Sequence, residues 1–326
     1  MKWRARVRRW SIGLGVVVLA LFGAGTTYSF GYDELTNGTV PVPAGLSYVR
    51  TGDLTTRYIS WGTRGTPIVL IHGAVESADV WDGLGPLLAR DHRVYAIDLD
   101  GSGYTERVAP YDLDHQARQV LAFVDAMRLA RPLLVGHSAG AAVAADATLL
   151  APGRIGGLMF LDGDGLLPDH STLLALSVLG EVAVDPYRTA VLRLLVRSDS
   201  FIRTVYAQQC GPGCPPLSAA GVEQWRRPFQ VPGAEAALWQ QLSGPPLGLT
   251  PAQESRLRTL RLPVAVVFGA QDDAFGIESP VQVARLVGAP PPTTIAGARH
   301  LPMISSPKAL AAAVQVLARR AANGGS

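Results

Sequence analysis

The sequence predicts an α/β protein built on a largely parallel sheet, and three observations carry that expectation. Short runs of consecutive apolar residues recur, among them "PIVLIHG", "PLLVGHS", "GGLMFLDG" and "PVAVVFG", the pattern of strands buried on both faces. Helical patterns separate several of these runs, which calls for helices covering both faces of the sheet. Finally, "LLVGHSAGAAVAAD" passes from an apolar strand to an alanine-rich helix through one turn, with Ser138 set between Gly136 and Gly140.

The chain opens on Lys2, Arg4, Arg6, Arg8 and Arg9, followed by 23 uncharged residues from Trp10 to Tyr32. At about 1.5 Å per residue such a helix crosses a hydrocarbon core, and its basic flank stays cytoplasmic. Residues 1–32 are therefore expected to anchor the protein in a membrane with its body outside. Cleavage near Gly23-Ala24-Gly25 would instead release a secreted protein. The net charge is +3, so removing the five charges of the tail leaves the body at −2, with no basic surplus for nucleic acid. Hydrophobic residues at 48% are enough for a large packed core.

Next, "DELTNGTVPVPAG" reads as a linker over 33–44 and contains the formal sequon Asn37-Gly38-Thr39. Strands are expected at "LSYVRTG", "TTRYISWG", "PIVLIHG", "RVYAIDLDG", "PLLVGHS", "GGLMFLDG", "PVAVVFG" and "PTTIAGA". In "DHQARQVLAFVDAMRL", Val120, Leu121, Val124 and Met127 fall on one helical face. Nearly a hundred residues between the sixth and seventh runs hold no convincing strand, too long for a structureless loop. They read as helices, "STLLALSVLGEVAV", "YRTAVLRLLVRSDSFIRTVYAQQ" and a stretch with Trp225 and Trp239, that is, as a cap over 166–261. The core is then 45–165 with 262–320, and 321–326 is a disordered tail. Cys210 and Cys214 flank Gly-Pro-Gly, and in an exported protein a local disulfide is expected; with no histidine nearby they make a poor metal site.

Gly136-His137-Ser138-Ala139-Gly140 fits the G-x-S-x-G elbow, in which small residues two places either side let strand and helix pass closely while the hydroxyl is exposed. A serine nucleophile needs a base, and the base needs an orienting acid. Asp272, beside Asp273, follows the strand "VAVVFG", and His300 is the only histidine downstream of it. The order serine, acid, histidine is the one this elbow requires. The expected oxyanion donors are the backbone N–H groups of Ala139 and, after Gly73 at the end of "IVLIHG", of Ala74. Two acids near this site have open roles. Asp162, ending the sixth strand, is an alternative acid, and Glu76 either binds a polar substrate group or, the expected case, faces solvent.

These motifs resemble the α/β-hydrolases of the capped, esterase-like kind, over about residues 45 to 320. "HGAVESADVW" is similar to the family's oxyanion loop and "DLDGSGYT" to its Asp-Leu-x-Gly-x-Gly-x-Ser turn, with Thr105 in the serine place. The histidine loop departs from the usual Gly-His, because Ala298 and Arg299 separate Gly297 from His300. The resemblance implies an eight-stranded, mostly parallel sheet, a cap after strand six, a small-molecule substrate, and no metal or organic cofactor. With serine at the elbow it implies carboxylic ester hydrolysis, acyl transfer or lactonisation, thioester cleavage, C–C hydrolysis or cofactor-free peroxidation, rather than the aspartate chemistry of dehalogenases and epoxide hydrolases. A membrane-tethered binding protein with a vestigial site is the remaining alternative.

Overall fold

The computed structural model describes residues 2–36, 40–167, 187–275 and 279–323. The sequon at Asn37 and the helix expected at "STLLALSVLGEVAV" lie outside these residues. All eight expected strands form: β1 (Ser47–Thr51), β2 (Leu54–Trp61), β3 (Pro67–Ile71), β4 (Arg93–Ile97), β5 (Leu133–His137), β6 (Gly157–Leu161), β7 (Val264–Gly269) and β8 (Thr293–Ile295). They make one sheet in the order β1-β2-β4-β3-β5-β6-β7-β8. Only β1/β2 and β2/β4 pair antiparallel. From β4 to β8 every pairing is parallel.

The central strands are buried on both faces because their side chains alternate between two cores. Val69, Ile71, Leu134, Leu158 and Phe160 point to one side. That side is covered by α3 (Leu113–Ala126), α4 (Ala139–Leu150) and α10 (Ser279–Val287). Ile68, Leu70, Leu133, Val135, Met159 and Leu161 point to the other. There the short α2 (Gly85–Leu88) and the long α12 (Pro307–Asn323) lie, together with a 3-10 turn at Ala78–Trp81. Helix α3 starts where Asp112 accepts a hydrogen bond from the His115 N–H.

At the N-terminus, α1 runs as one helix over Lys2–Thr36, continuing past Tyr32 into the segment that reads as linker. Its stretch Ile12–Gly31 is 20 residues with mean hydropathy 1.7, long and apolar enough to cross a membrane. Between β6 and β7 the described residues form α5 (Tyr187–Arg197), α6 (Asp199–Cys210), α7 (Ala219–Arg226), α8 (Ala234–Ser243) and α9 (Pro251–Ser255). The run that reads as one helix from Tyr187 is broken into α5 and α6. Ser198 adopts an extended conformation and its hydroxyl caps the Phe201 N–H, which ends one helix and starts the next. Cys210 and Cys214 are joined across the Gly-Pro-Gly turn, their Cα atoms 5.8 Å apart.

Candidate active site

The turn between β5 and α4 sets Ser138 at φ 50°, ψ −123°, a left-handed conformation that a side-chain-bearing residue adopts only under constraint. The constraint is close packing. A Cβ on Gly136 would meet the Gly140 carbonyl oxygen at 2.3 Å, and one on Gly140 would meet the His72 carbonyl oxygen at 2.4 Å. Both glycines are therefore required for strand and helix to approach, and the strained residue between them presents its hydroxyl at the sheet edge.

The loops after β7 and β8 bring the other two expected residues to that hydroxyl. His300 Nε2 lies 3.1 Å from Ser138 Oγ, and His300 Nδ1 lies 3.0 Å from Asp272 Oδ2. Burial works against charge on Asp272, but its hydrogen bond with His300 and the histidine's charge outweigh this and hold its pKa below the usual aspartate value. Arg299, which displaces the histidine from its glycine, has a structural task of its own. It pairs with Asp273 and donates to the Gln208 carbonyl in α6, tying the acid loop to the helices above.

Asp162, the alternative acid, ends β6 at φ 42° and is fully buried. Its Oδ1 accepts the Gly269 N–H at 2.6 Å, while Oδ2 forms no complete hydrogen bond among the described residues. Burial, with Asp272 nearby, keeps its pKa well above the usual aspartate range. Donor atoms of Asp162, Asp272 and His300 lie within 4.8 Å of one another, a spacing a metal ion accepts; His300 Nδ1 is engaged by Asp272.

Glu76 does not face solvent. It is buried, accepting the Gly73 N–H at 2.8 Å and lying 3.0 Å from His137 Nδ1. The other nitrogen of His137 lies 2.7 Å from the His300 carbonyl oxygen. Both ring nitrogens of His137 thus face oxygen atoms, the arrangement that suits an imidazolium beside an ionised carboxylate. Burial opposes charge on both partners, yet their mutual attraction and hydrogen bonds win, raising the pKa of His137 and lowering that of Glu76. The pair was invisible in the sequence because its members are 61 residues apart. The only available signal was a carboxylate in an apolar loop beside an elbow whose second residue is histidine.

The loop that contains Ala74 is also held from below. His72 donates from Nδ1 to the Gly73 carbonyl and accepts the Leu99 N–H at Nε2. Ala139, the first residue of α4, has an amide without an intrahelical partner. Two neighbouring cavities share Ala74, Val75, Leu238 and Leu242. One, about 460 Å³, reaches Ser138 and His300 and is walled by apolar residues of α5 and α6. The other, about 710 Å³, borders Ala74 and Ala139 and includes Tyr111, Gln116 and Gln241.

A model described as the alpha/beta hydrolase family matches residues 68–313. The acetyltransferase component of the acetoin cleaving system of Pseudomonas putida is 37% identical over 115 residues, 34% of this chain, and the chain spans 31% of that protein's length. The pimeloyl-[acyl-carrier protein] methyl ester esterase of Methylococcus capsulatus is 28% identical over 261 residues, covering 76% of this chain and 92% of the relative. Among solved structures, a bacterial membrane phospholipase A superposes with a TM-score of 0.66 at 22% identity, over 97% of this chain and 99% of that one.

Proposed function

The chain belongs to the alpha/beta hydrolase family, and from that premise we propose that it is a serine hydrolase cleaving carboxylic esters through Ser138, His300 and Asp272. The observation that carries this reading is His300, hydrogen-bonded through one nitrogen to Ser138 Oγ and through the other to Asp272. In the reaction, Ser138 Oγ attacks the ester carbonyl carbon while His300 Nε2 takes its proton. The N–H groups of Ala74 and Ala139 receive the negative charge that develops on the carbonyl oxygen. His300 returns the proton to the departing alcohol. It then deprotonates a water that attacks the acyl-enzyme, releasing the carboxylic acid and restoring Ser138. Asp272 stays ionised throughout and stabilises the imidazolium. The relative from Methylococcus capsulatus, a methyl ester esterase by name and matched over 76% of this chain, supports ester cleavage.

In this reading the helices between β6 and β7 form a lid that bounds the substrate cavities, and α1 anchors the protein with its body outside the cytoplasm. A fluorophosphonate probe tests the chemistry. The full chain in detergent should label at Ser138, located by peptide mass spectrometry, and should hydrolyse p-nitrophenyl esters. Ser138→Ala should do neither. Labelling that persists in Ser138→Ala, or a wild-type protein inert to both reagents, overturns the proposal.

A further inference from the structure

Resting on the esterase reading, we propose that the lid lies on the surface of the bilayer crossed by α1, and that the site takes acyl esters resident in that bilayer. The placement begins with α1. Twenty residues at about 1.5 Å each span roughly 30 Å, the thickness of a hydrocarbon core. This segment is almost wholly outside the protein, with 6% of it buried. Helix α1 nonetheless packs against α5 of the lid, and near the end of its apolar stretch Ser29 is 2% exposed. A helix that crosses the membrane and touches α5 near its exit holds α5 at the level of the headgroups.

The surface held there suits the position. Leu194 and Leu195 of α5, and Phe201 and Val205 of α6, are large apolar side chains exposed outside the core, Leu194 by 52%. Three of them, Leu195, Phe201 and Val205, also line the 460 Å³ cavity that reaches Ser138 and His300. Exposed apolar surface and cavity wall are therefore one continuous face. An acyl chain can move along it from lipid to the nucleophile without entering water. From Tyr187 to Glu235 the chain carries six arginines against Asp199, Glu223 and Glu235, an excess of three positive charges in a body whose net charge is negative. Arg193 and Arg226 are ion-paired within the lid, with Glu235 and Asp199 respectively. The excess still gives this end the sign that lipid phosphates attract. Hydrolysis there consumes water and yields a fatty acid and the alcohol portion of the lipid.

The test uses the full chain reconstituted into phosphatidylcholine vesicles, with and without phosphatidylglycerol. Leu194 is exposed on α5 and does not line the cavity, so it reports the contact without touching the chemistry. Leu194→Cys carrying a fluorophore should be quenched by nitroxide-labelled lipid. The same label at Thr63→Cys, exposed in the turn before β3, should be quenched only by an aqueous agent. The native cysteines are bonded to each other and do not compete for label. Leu194→Glu should leave hydrolysis of a short soluble ester unchanged and slow hydrolysis of vesicle phospholipid on the order of tenfold, the equivalent of one lost leucine contact. A Leu194 label as water-exposed as the one at position 63, or equal vesicle hydrolysis by Leu194→Glu, overturns the inference. Either result with soluble ester hydrolysis intact leaves the esterase reading standing. Loss of soluble hydrolysis in the wild-type protein defeats that reading instead, while the quenching arm still reads the bilayer contact.

Discussion

Removing the carboxylate of Glu76 tests whether the buried Glu76–His137 pair holds the site together. Glu76→Ala strips the Gly73 N–H of its acceptor and leaves His137 without its counter-charge. Breaking one side of a buried pair costs about 3–5 kcal/mol, of which the orphaned amide accounts for about 1–3. Freed, the Gly73-Ala74 loop misplaces the expected oxyanion donor, so kcat should fall on the order of 10²-fold. Glu76→Gln separates charge from geometry. Its amide oxygen, in the place of Oε2, still accepts from both the Gly73 N–H and the His137 Nδ1–H, so the contacts stay and only the counter-charge to His137 goes. The glutamine variant should lose about 1 kcal/mol and only a few-fold in kcat.

The two titrations fix how this loss depends on pH. His137 has a raised pKa, so its contribution is full below its unfolded value of 6.5 and fades as pH climbs through the folded value. Glu76 has a lowered pKa, so its contribution is present above 4.5 and fades as pH falls through the folded value. The wild-type advantage over Glu76→Gln should therefore be widest between pH 4.5 and 6.5 and shrink towards pH 9. Guanidinium melts in detergent at pH 5.5, 7.5 and 9, with ester kinetics at each pH, measure it. A Glu76→Ala protein within about 1 kcal/mol of wild type with unchanged kcat would refute the reasoning, as would a gap independent of pH.

Gly73→Ala puts a Cβ 2.9 Å from the Ser138 Cβ and 3.0 Å from His137 Nδ1, so kcat should drop on the order of 10²-fold; a fully active variant would mean that the loop has room to spare. If Asp272 is the acid, Asp272→Asn should cost about 10⁴-fold in kcat, whereas Asp162→Asn, whose amide oxygen still accepts the Gly269 N–H, should cost less than about tenfold. The reverse ranking would move the acid to β6. Glu254 is buried, with neither carboxylate oxygen hydrogen-bonded among the described residues, and burial, with Asp164, pushes its pKa up to about 9. A raised carboxyl keeps its proton in the folded state, so stability is lost as pH rises from 4.5 towards 9. Melting curves should show Glu254→Gln gaining on wild type between pH 5 and 8, by at most about 3 kcal/mol at pH 7; a constant offset would rule out this titration.

Most strands from β3 onward were legible because a parallel sheet buried on both faces leaves uninterrupted apolar runs. The antiparallel β1 and β2 were read from short β-like patterns, and each of the eight became a strand. The elbow was legible because its glycines answer a local steric demand. Asp272 and His300 were legible through chain order alone, since each follows a strand whose end lies at the same sheet edge. Glu76 was misjudged for the opposite reason. Nothing near it in sequence can compensate a buried charge, so solvent was the natural expectation. His137, which compensates it, arrives only when β5 docks beside β3. The break at Ser198 was missed because the apolar spacing on either side continues in phase, and a serine that caps looks the same in sequence as one that merely interrupts.

These polar contacts share a logic that a chain order cannot display. Within the sheet, β3, β5, β6, β7 and β8 lie in that order, and the site residues sit on the loops at their ends. Each loop is held by a neighbour at least as much as by its own strand. Glu76, after β3, holds His137 at the end of β5. His137 in turn holds the backbone of His300, beyond β8. Asp162, ending β6, holds the amide of Gly269 at the end of β7, and Asp272, after β7, holds the His300 ring. His300 is thus fixed twice, at its carbonyl by His137 and at its ring by Asp272. In the proposed reaction a strained Ser138 gains nothing from precision unless His300 is equally well placed, and this double attachment supplies it. The buried charges at Glu76 and His137 cost desolvation that an apolar pair would avoid. They serve because only an imidazolium can donate to the Glu76 carboxylate and to the His300 carbonyl at once.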